Sequence, residues 1–394
     1  MIGRLNVGGP AIQALTLTRS LRARSYETVL VRGVEGPQEG TMDHLAVDLG
    51  VVPVRFASLR RELGIHDLLA LAHTIWLLAR TRPAILHTHA AKAGAVGRAA
   101  ALLLGPAAPR VRVHTFHGHV LTDYFGRRRS SLFVTIERLL ARRTTRLVAV
   151  SDEVREDLLA LRIAPADRIV VIPLGLDLER FHLSEPEQQR RRGALRATLG
   201  IGPEEIVVCL VARLVAIKRV DRFLRIARRV NQWRPDVRFM IVGDGDLGAT
   251  LRRSADAVAL GDRLLWTGMR LDIPDIYLAS DVVALTSDNE GTPVSLIEAQ
   301  AAARPTVATA VGGVPTVVRH GLTGLTVARD DEAGFARAIA DLVADADRRE
   351  GMGQNGRDEV MRRFGLDRLV HDIDALYRTL LAGAGNAAGA GKPR

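Results

Sequence analysis

Short β-branched runs alternate with amphipathic stretches along nearly the whole chain, and most of the runs end in loops rich in glycine, histidine or serine. That rhythm limits the fold more than any other feature. In the first half it predicts strands at residues 28–32, 51–56, 84–87, 111–114, 146–150 and 167–173. Helices are predicted at 11–23, 41–49 and 66–80, and another ends at 138–143. In the second half strands are expected at 206–211, 237–242, 264–267, 281–285 and 306–310. Their helices are expected at 185–197, 221–233, from 247, 274–278, 332–344 and 365–381. Alternation at this rate implies parallel sheets covered on both faces, with ligands outside the carboxyl ends of the strands.

At 394 residues and 47% hydrophobic content, the chain is long enough for two cores. Cys209 is the single cysteine and sits inside an apolar run, which excludes a disulfide framework and fits a reducing compartment. No run approaches the roughly 18 uncharged apolar residues of a membrane span, and the start carries no export signal. The net charge of +11 is uneven: residues 1–183 hold 25 basic against 16 acidic side chains. Aromatics at 4% and the lack of a recognition motif argue against nucleic acid. Arg127, Arg128, Arg129, Arg142, Arg143 and Arg146 flank an apolar stretch. That pattern suits either an anionic membrane leaflet or a solvated basic helix face.

The stretch TSDNEGTPVSLIEAQ, residues 286–300, follows the expected strand at 281–285 and carries Glu290 and Glu298. Thr292 is expected as a helix N-cap with Pro293 in the first helical position. Glu290 then lies on a loop, Glu298 lies in the helix, and the free amides of Val294 and Ser295 favour a phosphate. Arg213 and Lys218, after the strand at 206–211, supply two cations to the same crevice.

These runs, with RLVAIK at 213–218 and NVGGP at 6–10, resemble the retaining glycosyltransferases of family 4, over about residues 5–378. The resemblance implies an α/β, GT-B architecture: two Rossmann-like, doubly wound domains facing a central cleft. It implies an N-terminal acceptor domain over 1–180 and a nucleotide-sugar domain over 181–364. A helix over 365–382 then crosses back, and 383–394 form a low-complexity, disordered tail. It implies a hexosyltransferase that takes a nucleotide diphosphate sugar as donor, first a UDP-hexose or UDP-N-acetylhexosamine and second GDP-mannose. The acceptor would be a glycan or polyprenyl-diphosphate-linked carrier in surface polysaccharide synthesis, at the cytoplasmic side of a membrane.

By the same resemblance Glu298 holds ribose hydroxyls, Glu290 holds donor-sugar hydroxyls, and Gly291, Thr292, Pro293, Val294 and Ser295 complete the donor loop. His117 is presented to the donor sugar, and Gly8 and Gly9 let backbone amides approach the distal phosphate. Lys92, His119, Thr122 and Tyr124 are placed to face an acceptor, although a structural role for His119 is equally compatible. Anomeric configuration is retained without a protein nucleophile, with the leaving phosphate taking the acceptor proton. In family members the first strand is complete, so the natural start is expected upstream of Met1. The run at 321–327 resembles the family's hairpin before its last helices, and VGGVP at 311–315 is expected to be a flexible turn.

His73, His87, His89, His114, His117 and His119 include two His-x-His pairs, but no cysteine or fixed carboxylate accompanies them, so no metal site is expected. His114, inside a strand, is expected in the core. Asp244, in the Asp-x-Asp pair of GDGD at 243–246, is expected to cap the following turn or helix, and no cofactor is expected. A nucleotide-sugar hydrolase or epimerase on the same fold, or a non-catalytic sugar-nucleotide-binding protein, are the competing readings.

Overall fold

The computed structural model of the protein describes residues 1–6, 8–36, 40–60, 62, 64–118 and 127–389. The side chains of 127–130 and 385–389 lie outside that description. The chain forms two compact units, Met1–Leu176 with Leu366–Arg394, and Asp177–Gly365.

The first unit carries β1 (Val31–Arg32), β2 (Val54–Arg55), β3 (Ile85–His89), β4 (Val111–Phe116), β5 (Arg146–Ala149) and β6 (Ile169–Val171). β1 pairs with β2, and β3 to β6 pair in sequence, all parallel. Ile2 bridges Arg32 on one side and His89 on the other, so the first residues run between β1 and β3. The strands expected at 28–32 and 51–56 shrink to two residues each. Val29 and Val52, which precede the paired residues, are exposed. The helix Leu366–Gly389 presents Leu369, Val370, Ile373, Tyr377 and Leu380 to Val111, Val113, Val148 and Ile172 in one core. It continues through the 383–389 stretch, where a disordered tail was expected. Five of the nine residues from 381 to 389 are Leu or Ala, and Leu381 and Ala384 pack on that core, which offsets the glycines.

In the second unit lie β7 (Ile206–Val211), β8 (Val237–Val242), β9 (Leu264–Gly268), β10 (Val282–Leu285), β11 (Thr306–Thr309) and β12 (Gly324–Val327). They form one sheet in the order β12-β11-β10-β7-β8-β9, and every pairing is parallel. β7, β10 and β11 read as unbroken apolar or small-residue runs, and β8 does so apart from Arg238, because both faces are covered. One face holds Phe223, Ile226, Val230, Phe239, Phe335 and Ile339, almost wholly buried. The glycine-threonine run at 321–327 is not a hairpin: Gly321 and Gly324 close a turn, and β12 then runs parallel to β11 as the sheet's edge. A helix over Ala346–Phe364 has no counterpart in the sequence reading, because Gly351, Gly353 and Gly356 interrupt its periodicity. Two of those glycines allow close packing, since a Cβ on Gly353 would stand 2.2 Å from the Ala303 carbonyl and one on Gly356 3.1 Å from Gln300 Cγ.

Candidate active site

In the second sheet the chain runs from β7 outward through β8 and β9, then returns to start β10 on the other side of β7. The loops after β7 and β10 therefore diverge at the switch point, where an open parallel sheet leaves a crevice. Arg213 and Lys218 follow β7; Glu290 and the helix Val294–Ala301 follow β10. The two loops are tied directly. The Asp288 amide donates to the Ile217 carbonyl at 2.9 Å, and Thr286 Oγ1 donates to the Arg219 carbonyl at 3.0 Å. Arg222, almost fully buried, donates to the Thr286 carbonyl at 2.8 Å and pairs with Asp288 at 2.8 Å.

Lys218 Nζ donates to Glu290 Oε1 at 2.6 Å, and Ser287 Oγ donates to the same oxygen at 2.5 Å. Glu290 is buried, and these two donors offset the loss of its hydration. Its backbone is pinned from behind. The Gly313 amide donates to the Glu290 carbonyl at 2.8 Å, and a Cβ on Gly313 would lie 1.8 Å from the Gly291 oxygen. The VGGVP turn is thus wedged against the donor loop and not flexible; only glycine leaves room for that contact.

The helix begins one residue later than expected. Pro293 is its N-cap, and Thr292 makes no side-chain capping bond. Leu296 and Ile297 both donate to the Pro293 carbonyl, which leaves Val294 and Ser295 as free first-turn amides among the described residues. Glu298, the fifth helical residue, is buried and accepts from Arg180 Nη2 at 2.6 Å. Burial pushes its carboxyl above the usual range, against the opposing pull of Arg180 and of Tyr277. The Tyr277 hydroxyl is itself buried, close enough to Glu298 for the two charges to influence each other, but without a well-formed hydrogen bond.

Arg213 is exposed and has no side-chain partner among the described residues. Its loop is braced by the GDGD turn: the Leu214 amide donates to the Asp244 carbonyl at 3.0 Å, and Leu247 donates back to Leu214 at 2.9 Å. Asp244 Oδ1 accepts from the Gly245 amide at 2.8 Å, so it caps the turn, while the following helix has no side-chain cap. Among the described residues no three His, Cys, Asp or Glu side chains gather as a metal site.

In the first unit, Gly8 precedes the helix Gly9–Arg22, with Pro10 in its first turn. His89 Nδ1 and His117 Nε2 are 3.0 Å apart, and the His87 and His89 rings stack at 4.3 Å. His87 bonds Tyr377 at 2.6 Å and Thr115 at 2.7 Å. Burial lowers His117 to about 4 and His87 to about 3, so these rings are uncharged near neutrality. His114 is fully buried; its Nδ1 meets the Thr88 hydroxyl at 2.9 Å while Nε2 has no partner among the described residues. Lys92 pairs with Asp67 at 2.6 Å. His119, Thr122 and Tyr124 lie outside the described residues.

Residues 7–180 match Glycosyltransferase Family 4, and residues 192–359 match Glycosyl transferases group 1. The chain is 32% identical to the Escherichia coli UDP-Gal:alpha-D-GlcNAc-diphosphoundecaprenol alpha-1,3-galactosyltransferase, over 79% of this chain and 80% of that one. The chain belongs to glycosyltransferase family 4. This transferase is also 29% identical to the 2-deoxystreptamine N-acetyl-D-glucosaminyltransferase of Streptomyces fradiae, over 98% and 94% of the two chains. Among solved structures it resembles Anabaena Alr3699/HepE in complex with UDP, with a TM-score of 0.80 at 21% identity, covering 96% of this chain and 98% of that one. The fold is therefore GT-B, and the protein is a glycosyltransferase.

Four contributors to the site escape sequence reasoning: Ser287, Arg180, Tyr277 and Gly313. Arg180 and Glu298 are 118 positions apart, and nothing local marks the pair. Ser287 and Gly313 were visible as part of named runs, but their roles come from contacts.

Proposed function

We propose that this enzyme transfers a hexose or N-acetylhexosamine from a UDP-sugar, with retention, to a lipid-linked or glycan acceptor in cell-surface polysaccharide synthesis. The observation that carries the reading is the meeting of Lys218, Glu290 and the free amides of Val294 and Ser295 at the switch point of the second sheet. Arg213, Lys218 and the amides stabilise charge on the departing diphosphate. Gly8 and Gly9 approach the distal phosphate. Glu298 accepts from the ribose hydroxyls, Glu290 holds the donor sugar, and His117 donates to one of its hydroxyls. The acceptor hydroxyl attacks the anomeric carbon on the face the diphosphate leaves, and its proton passes to the leaving phosphate oxygen. Both carboxylates are committed to cationic partners, which favours charge stabilisation over covalent attack.

No metal takes part in this scheme, because the cations come from side chains; chelator should leave the rate unchanged. The named donor and acceptor of the Escherichia coli relative favour UDP and a polyprenyl carrier. A carrier of that kind places the reaction at a membrane's cytoplasmic face. No helix among the described residues is long and apolar enough to cross a membrane. Leu132 and Leu139 stand about 60% exposed on the Arg127–Arg142 helix, as a peripheral contact with an anionic leaflet requires.

Thermal shifts against UDP-, GDP- and dTDP-sugars test the donor, since stabilisation grows logarithmically with ligand over Kd. UDP-sugars should give the largest shift, and NMR of the product should show the donor's anomeric configuration. A larger shift with GDP-mannose, or an inverted product, overturns the reading. Glu298 supplies a second test. Because its carboxyl titrates above the usual range, UDP affinity should weaken as the pH falls towards that raised pKa. Glu298→Gln should weaken UDP by about tenfold and flatten that dependence, at a cost near that of one charged hydrogen bond. Equal UDP affinity in the variant excludes the ribose role.

A further inference from the structure

The amino-terminal edge of the first sheet carries a second cationic site, at the opposite strand ends from His89 and His117. Arg112, Arg142, Arg143 and Arg168, with Thr144 and Thr145, line a shallow cavity of about 250 Å³. Among the described residues none of the four arginines pairs with a carboxylate. Arg168 has a structural role: its Nη1 donates to the Arg142 carbonyl at 3.2 Å and reaches the Ala141 carbonyl at 3.5 Å, where the Arg127–Arg142 helix ends. Among the described residues the side chains of the other three arginines have no such partner. Arg112 Nε is buried without an acceptor, and burial together with the charge of Arg143 lowers the affinity of that guanidinium for its proton. The Arg112 amide donates to Thr145 Oγ1 at 2.9 Å, which leaves the Thr145 hydroxyl proton for another acceptor. Thr144 spends its proton on the Leu140 carbonyl at 2.8 Å.

We propose that this cavity binds a phosphomonoester. Guanidinium forks suit phosphate oxygens, and a dianion would relieve the repulsion among unpaired like charges that the fold otherwise leaves standing. The site belongs to the first unit, at strand ends opposite to those of His89 and His117, and does not depend on the transferase scheme. Two sources share the chemistry: a soluble phosphate compound, and the phosphomonoester headgroup of an anionic lipid reached by the helix that exposes Leu132 and Leu139.

The test uses the full chain at low salt with UDP present at saturation, so that the donor site is filled. Calorimetry with inorganic phosphate should show binding to the wild type, weakened at least tenfold in Arg112→Gln/Arg143→Gln and unchanged in Arg213→Gln. Arg142→Gln, at an exposed position, gives the same readout should the double variant fold poorly. Flotation with phosphatidylcholine vesicles containing phosphatidic acid separates the sources. Vesicle binding that inorganic phosphate competes away, and that the double variant loses, identifies a lipid headgroup. Phosphate binding without vesicle binding identifies a soluble ligand. Absence of phosphate binding by the wild type, or equal affinity in the double variant, overturns the proposal.

Discussion

Glu290→Gln is expected to lower kcat by about 10²–10³-fold while UDP binds as tightly as before or slightly tighter. The size follows from removing one preorganised charge that acts on a developing positive centre. The sign of the affinity change comes from the structure. Lys218 Nζ is held 2.6 Å from Glu290 Oε1, so the carboxylate competes with donor phosphates for that cation. Glutamine keeps the shape, removes the competing charge and frees Lys218 for the diphosphate. Turnover and UDP affinity measured on one preparation check this. Parallel losses in both would reduce Glu290 to a binding group.

Gly313→Ala is expected to cost about 10²-fold in turnover while the protein stays folded. Gly313 has φ −71° and ψ 4°, a negative-φ turn conformation open to alanine, so alanine brings no left-handed strain there. What it brings is a methyl carbon 1.8 Å from the Gly291 carbonyl oxygen, a distance no packed atoms tolerate. The Glu290–Gly291 loop must retreat by about 1 Å or more, and displacement of that order at a reacting centre costs about 10²-fold. Gly202→Ala is the control: its added methyl meets nothing nearer than 3.5 Å, and it lies outside the site. Full activity in Gly313→Ala would show that the VGGVP turn does not set the position of Glu290.

The long buried strands were the most legible part of the molecule. The runs at 206–211 and 237–242 appear with the boundaries their sequences suggest, because burial on both faces demands apolar residues throughout the first and at all but Arg238 of the second. Short strands were less legible. β1 and β2 retain two residues each, too few to carry a periodic signature, and β12, at the edge of its sheet, reads as a hairpin until its partner strand is known. The Ala346–Phe364 helix was hidden by glycines that serve packing and not flexibility.

Residue order along the chain already carries the doubly wound character of both halves and the family resemblance. It also determined that Lys218 and Glu290 follow strands, because residue order fixes which loop leaves a strand's carboxyl end. What each charged group faces depends on the folded arrangement of the strands. Side-chain partners are set by which strands become neighbours, and β7 and β10, more than 70 positions apart, are neighbours only in the folded sheet. From that adjacency comes the Lys218–Glu290 pair; the Gly313 wedge follows from the pairing of β10 with β11, the Arg180–Glu298 pair joins residues 118 positions apart, and no spacing along the chain encodes any of the three.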